Sequence, residues 1–93
     1  MRRIYSRDDL AVSCFGMTRV EAIQNLSDYS REFDEFIQDP ANEDFIKSRE
    51  DEFCLIKPFI SKAMNYLKFN YSSVSPKDDY EKRLLEEIVE KLL

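Results

Sequence analysis

Ninety-three residues with nineteen acids, fourteen bases and a net charge of −5 lack the cationic excess that holds nucleic acid or an anionic membrane. With no histidine and only Cys14 and Cys54, one chain cannot supply the four ligands of a structural zinc site, and the usual activating base of a nucleophile is missing. A single glycine and three prolines leave little material for the tight turns of a β-protein, so an all-α fold is expected, with residues 1–93 as one domain.

Residues 1–5, MRRIY, form a short basic arm with no decisive pattern. Asp8 and Asp9 precede the weak apolar run Leu10 to Met17, which Ser13 and Gly16 interrupt, so the start does not read as a signal peptide. Ser6 instead reads as the N-cap of a short helix running to about Cys14, with two acids in its first turn. Gly16 follows as the turn residue, free to take positive φ. Thr18 and Glu21 then have the spacing of a capping box. From there a long helix is predicted from Arg19 to about Gln38. Its seam is Ala22, Leu26, Tyr29, Phe33 and Phe36, flanked by Ile23 and Ile37.

Asp39-Pro40 ends that helix and opens the next, because proline disfavours helix in the residue before it yet fits a helix's first turn. A connection this short makes the two helices antiparallel neighbours. The second has a polar first half, residues 41–52, with Phe45 and Ile46 inward. Its second half, residues 53–69, is apolar at eleven of seventeen positions. Those positions circle most of the helical wheel, so cover is expected on several sides. Lys57, Lys62 and Lys68 within it, and its short length, speak against a membrane span. Pro58 costs about 3 kcal/mol inside a helix, while each large apolar side chain buried around it contributes about 1.5 to 3 kcal/mol. A kinked but continuous helix is therefore expected. Asn70 to Val74 reads as a loop, and Ser75-Pro76 as the N-cap and first residue of a last helix to the terminus, with Tyr80, Leu84, Leu85, Ile88, Val89 and Leu92 on its apolar side. The expected architecture is a small bundle of about four helices: a short N-terminal helix, a long helix, a Pro-kinked core helix and a C-terminal helix. Tyr66, Phe69 and Tyr71 are apolar surplus at the end of the core helix, which a second copy in a homodimer would cover.

No residue has the setting of a catalytic group, and the chain reads as a non-enzyme. Lys57, one turn from Cys54, is the only neighbouring cation that would lower a thiol pKa, and both cysteines read better as reduced core residues of a cytoplasmic protein. Residues 34–44 are acid-rich but have Pro40 in place of the ligand spacing and glycine of a calcium loop. No glycine-rich phosphate loop is present. No metal and no cofactor are expected.

Charge segregation is the stronger signal. Residues 31–52 hold nine acids against three bases, a net of −6, while the remainder carries +1. If the helices meet at Asp39-Pro40, Glu32, Glu35, Asp39, Glu43 and Asp44 gather at one end of the hairpin, able to dock on the basic surface of a protein partner. An inhibitor, immunity or antitoxin-like role fits such a small acidic chain. The alternatives are a merely solvated face, or a helix-turn-helix-like DNA-binding regulator that offers Arg19, Gln24 and Asn25 from helix 19–38.

Overall fold

A computed structural model describes residues 6–69 and 75–93. The basic arm, the loop from Asn70 to Val74 and Tyr71 lie outside the described residues. Those described form five α-helices and no strand: α1 (Arg7–Ser13), α2 (Arg19–Gln38), α3 (Glu43–Ser48), α4 (Glu50–Lys68) and α5 (Asp79–Glu90), with a 3-10 turn over Pro40–Asn42.

The local signals of the first half are realised. The Ser6 hydroxyl accepts from the Asp9 N–H and opens α1. Gly16 takes φ 79° in the turn that follows. At the start of α2 the Glu21 N–H donates to Thr18 Oγ1 at 3.2 Å while Glu21 Oε1 accepts from the Thr18 N–H at 3.0 Å, a complete capping box. Four residues of the seam (Ala22, Leu26, Tyr29 and Phe33) are buried, and Phe36 and Ile23 are half-buried against them. Ile37 is 42% exposed and so falls off the seam.

α2 and α4 pack antiparallel, since rising positions in one meet falling positions in the other. The Arg19 side chain donates to the Leu67 carbonyl, Lys57 Nζ reaches Ser30 and Asp34, and the Phe33 and Phe53 rings meet at 5.8 Å. Phe53, Ile56, Phe59, Ile60, Ala63 and Leu67 form the inward face of α4, which α1 and α5 cover from the other side with Leu10, Ala11, Cys14, Leu84, Leu85 and Ile88. The turn after α1 is clasped by the C-terminal residues: the Gly16 N–H donates to the Lys91 carbonyl and the Leu93 N–H to the Met17 carbonyl, both at 2.9 Å.

Three expectations are corrected. The helix expected to run on from Pro40 is interrupted at Arg49, while its continuity through Pro58 is as expected. Residues 47–52 contain no apolar side chain to hold two turns in line, Ser48 Oγ donates back to the Phe45 carbonyl at 2.7 Å, and Arg49 leaves helical geometry at φ −128°, ψ 28°. α4 then runs unbroken through Pro58, which is exposed, as is Cys54, whose carbonyl the proline cannot match, so water can reach that side. Second, α5 begins at Asp79 with Asp78 as N-cap, not at Pro76 with Ser75, because the Asp78 carboxylate accepts from the Glu81 N–H at 2.9 Å. Third, the apolar stretch is not covered all round: Cys54 in α4 is exposed, and Phe69, the residue after its last turn, is 71% exposed. Cys14 is buried as expected, Cys54 is not the core residue expected, and the two form no disulfide.

Candidate functional site

The end of the α2–α4 pair is built on four phenylalanines. Phe33 and Phe36 leave the last turns of α2, Phe45 comes from α3 and Phe53 from the first turn of α4. Phe36 and Phe45 meet edge to face at 6.0 Å, and Phe53 lies 5.8 Å from Phe45 and 6.3 Å from Phe36. Edge-to-face pairs of this kind contribute about 0.5 to 1.5 kcal/mol each beyond the area they bury. Asp39 Oδ1 accepts from the Ala41 N–H, and Asn42 Nδ2 donates to the Phe36 carbonyl, which fixes the corner between α2 and α3.

On this base stand the acids. Glu35, Asp39, Glu43 and Asp44 are exposed and Glu32 is half-buried, so the structure brings the anticipated five to the last turns of α2 and the segment that follows. Their partners differ. Asp39 caps the corner, and Glu43 pairs with Lys47 one turn on at 3.2 Å. Glu32, Glu35 and Asp44 make no ion pair with any described residue, and neither do Glu50 and Asp51 at the exposed start of α4. Two acids of the same stretch are withdrawn from the surface charge: Asp34 holds Lys57 at 2.7 Å, and Glu52 binds Arg7. Lys57 is therefore spent on Ser30 and Asp34 and not on the Cys54 thiol, which donates to the Asp51 carbonyl.

The three residues considered as DNA readers are all engaged within the fold. Asn25 is half-buried and donates to Ser13 Oγ at 2.9 Å, Gln24 donates to Asp28, and Arg19 donates to the Leu67 carbonyl.

A second charged cluster escaped the sequence reading. Glu81 on α5 is only 1% exposed, yet its carboxylate accepts from Arg7 Nη1 at 3.0 Å, Lys62 Nζ at 3.0 Å and the Lys77 N–H at 2.9 Å. Arg7, 7% exposed, also donates its Nε and its backbone N–H to Glu52, and its guanidinium lies 4.9 Å from the centre of the Tyr80 ring. Burial pushes the Glu81 carboxyl up, but the hydrogen bonds from Lys77, Lys62 and Arg7 together outweigh it and leave its pKa below the ordinary value. Burial likewise works against the Arg7 charge, and Glu81 and Glu52 more than restore it, so its pKa is raised. Burial also raises the Tyr80 hydroxyl, with Asp8 and Glu52 adding to it. The spacing Asp78-x-x-Glu81 marks the start of α5 and nothing more, so the burial of Glu81 had no local signal. No buried side-chain nitrogen or oxygen among the described residues, those of this cluster included, lacks a partner. Nor do the described residues contain a group of His, Cys, Asp and Glu able to hold a metal, or a helix long and apolar enough to cross a membrane.

The chain matches no known protein family, no curated protein and no solved structure.

Proposed function

We propose that the protein works by contact with another protein, docking its acidic hairpin end on a basic surface in the manner of an inhibitor, immunity protein or antitoxin, in the cytoplasm. The observation that supports this reading is the set of exposed carboxylates at Glu35 and Asp44, with half-buried Glu32, that no described cation neutralises and that sit on a packed aromatic base. Carboxylates gathered at one end of the molecule steer a cationic partner toward that end.

The test is kinetic. A partner isolated on the immobilised protein from its native extract is mixed with the unaltered chain and with the triple variant Glu35→Lys, Glu43→Lys, Asp44→Lys. Slower association of the variant, most marked at low salt, is expected, and an unchanged rate at low salt overturns the reading. Duplex DNA in the same assay discriminates the DNA-binding alternative, which requires Arg19, Gln24 and Asn25 to exchange their present hydrogen bonds for contacts to bases.

A further inference from the structure

The segment between Asp39 and Glu50 is attached differently from the rest of the chain. Neither the turn Pro40–Asn42 nor α3 contributes a buried residue, and α3 has no side-chain N-cap. Each end is a break in the backbone: Asp39-Pro40 is extended at φ −79°, ψ 116°, and Arg49 departs from helix before α4 starts. Glu43 pairs with Lys47 inside the segment. Phe45, Ile46 and Asn42 tie it to the body: Phe45 through its ring, Ile46 as a half-buried side chain against the core, and Asn42 through the Phe36 carbonyl. Under Phe45 lie Phe36, Phe53 and, behind them, Phe33, all carried by α2 and α4.

We infer that residues 40–49 are a hinged lid over an aromatic seat made by Phe36, Phe53 and Phe33, and that the partner is a cationic helix that places an aromatic side chain in this seat when Phe45 leaves it. The chain's own lid shows what the seat accepts. Phe45 fills it, and the guanidinium of Arg49, four residues on, lies 4.2 Å from the centre of the Phe45 ring. The carboxylates that stay on the body when the lid swings, Glu32 and Glu35 on α2 and Glu50 and Asp51 on α4, set the sign of the incoming helix. The inference rests on the acidic-face reading and adds to it the anchor and the movement that admits it.

Two measurements on the full chain test this. In native-state hydrogen exchange, the amides of α3 are expected to exchange through local opening about a hundredfold faster than the central amides of α2 and α4. Exchange of α3 only through global unfolding overturns the lid. The second measurement uses a labelled lysine-rich helical peptide with one phenylalanine and an arginine four positions later, beside a control with alanine for that phenylalanine. Phe45→Ala empties the seat, so the phenylalanine peptide should bind this variant about tenfold tighter than it binds the unaltered chain, a gain of the size that burying one aromatic side chain allows. The control peptide should gain nothing, and Phe45→Leu, which keeps the seat filled, should behave as the unaltered chain. Equal binding of the two peptides to Phe45→Ala refutes the aromatic seat while leaving the acidic face in place. Peptide association that is unchanged by Glu35→Lys, Glu43→Lys, Asp44→Lys refutes the acidic face instead, and with it the choice of a cationic helix. If Phe45→Ala loses its helical fold, Phe45 is integral and the exchange pattern of the unaltered chain decides.

Discussion

Glu50 and Glu52 stand two residues apart at the start of α4, and they belong to two regions that use carboxylates in opposite ways. Glu50 lies with Asp51 at the exposed acidic end of the α2–α4 pair, where apolar rings carry the packing and the charges face water. Glu52 turns to Arg7 and joins the cluster centred on Glu81, where charges pair with one another beside the apolar contacts between α1, α4 and α5. What separates them is the face of the helix and the supply of donors. A carboxylate that gains three donors while losing water remains ionised, and one that keeps its water needs none. Charge density along the chain is therefore a poor guide to where charge matters for stability. Most of the nine acids of residues 31–52 mark the solvated region, whereas the single Glu81 links α5 to α1 through Arg7 and to α4 through Lys62.

The sharpest way to break this comparison is to remove Glu81. Glu81→Leu removes the carboxylate on Nη1 of buried Arg7, leaves its side chain only the hydrogen bond from Nε to Glu52, and should cost about 3 to 5 kcal/mol in urea unfolding. Adding Arg7→Met should restore part of the loss, since an apolar pair of similar volume tolerates burial and Lys62, at 28% side-chain exposure, can turn to water. A double variant no more stable than Glu81→Leu alone would show that the cluster is not a coupled unit. In the other region the corresponding test is apolar. Phe33→Ala and Leu67→Ala, at the two ends of the α2–α4 contact, should each cost about 2 to 5 kcal/mol. Neutral results at both would mean that the faces of these helices are wrongly assigned.

Acid sharpens the distinction further. The folded Glu81 carboxyl has a lowered pKa, so between its unfolded and folded values the unfolded chain binds more protons. Its contribution to stability is thus fully present above the ordinary carboxylate range and is lost as pH falls through the depressed folded value. Arg7 has the opposite sign: its pKa is raised, so its contribution is present below the unfolded arginine value and is lost only in strong alkali. Urea midpoints measured on descending from neutral pH should fall on entering the carboxylate range, and Glu81→Gln should flatten that fall. An equal fall in the Gln variant would assign acid sensitivity to other groups, such as Asp78, whose pKa the Glu81 N–H lowers.

The two regions were also unequally legible in the sequence. Local rules that need only a few residues were readable: the Ser6 cap, positive φ at Gly16, the Thr18–Glu21 box and the period of Ala22, Leu26, Tyr29 and Phe33. The acidic end was readable because its residues are near neighbours in the chain. The Glu81 cluster joins Arg7, Glu52, Lys62 and Glu81 across 74 positions, and no local pattern announces a carboxylate whose donors lie that far away. The break at Arg49 was missed for another reason. Helical propensity is high through residues 43–52, and what ends α3 is the want of an apolar contact across residues 47–52, which appears only when the stripe is followed residue by residue.

The smallest expected effect is the one that bears on function. Glu35→Lys, Glu43→Lys, Asp44→Lys changes the charge of residues 31–52 from −6 to 0, a far larger electrostatic change than the loss of Glu81. Yet the three side chains lie in water, away from the buried faces of α2 and α4. Two opposing terms remain. Reversal relieves repulsion among Glu32, Glu35 and Asp44, while Glu43→Lys turns its pair with Lys47 into a like-charge pair one turn apart, costing about 0.2 to 0.5 kcal/mol. Both are screened beyond about 8 Å at physiological salt. The unfolding midpoint should therefore move little at any salt, and the far-ultraviolet helical signal should not change. Association with a cationic partner should slow at low salt and recover toward the unaltered rate as salt rises. A variant that unfolds would show that these carboxylates, like Glu81, are part of the structure. One that stays folded and associates at the unaltered rate would leave the acidic end as a solvated face with no role in docking.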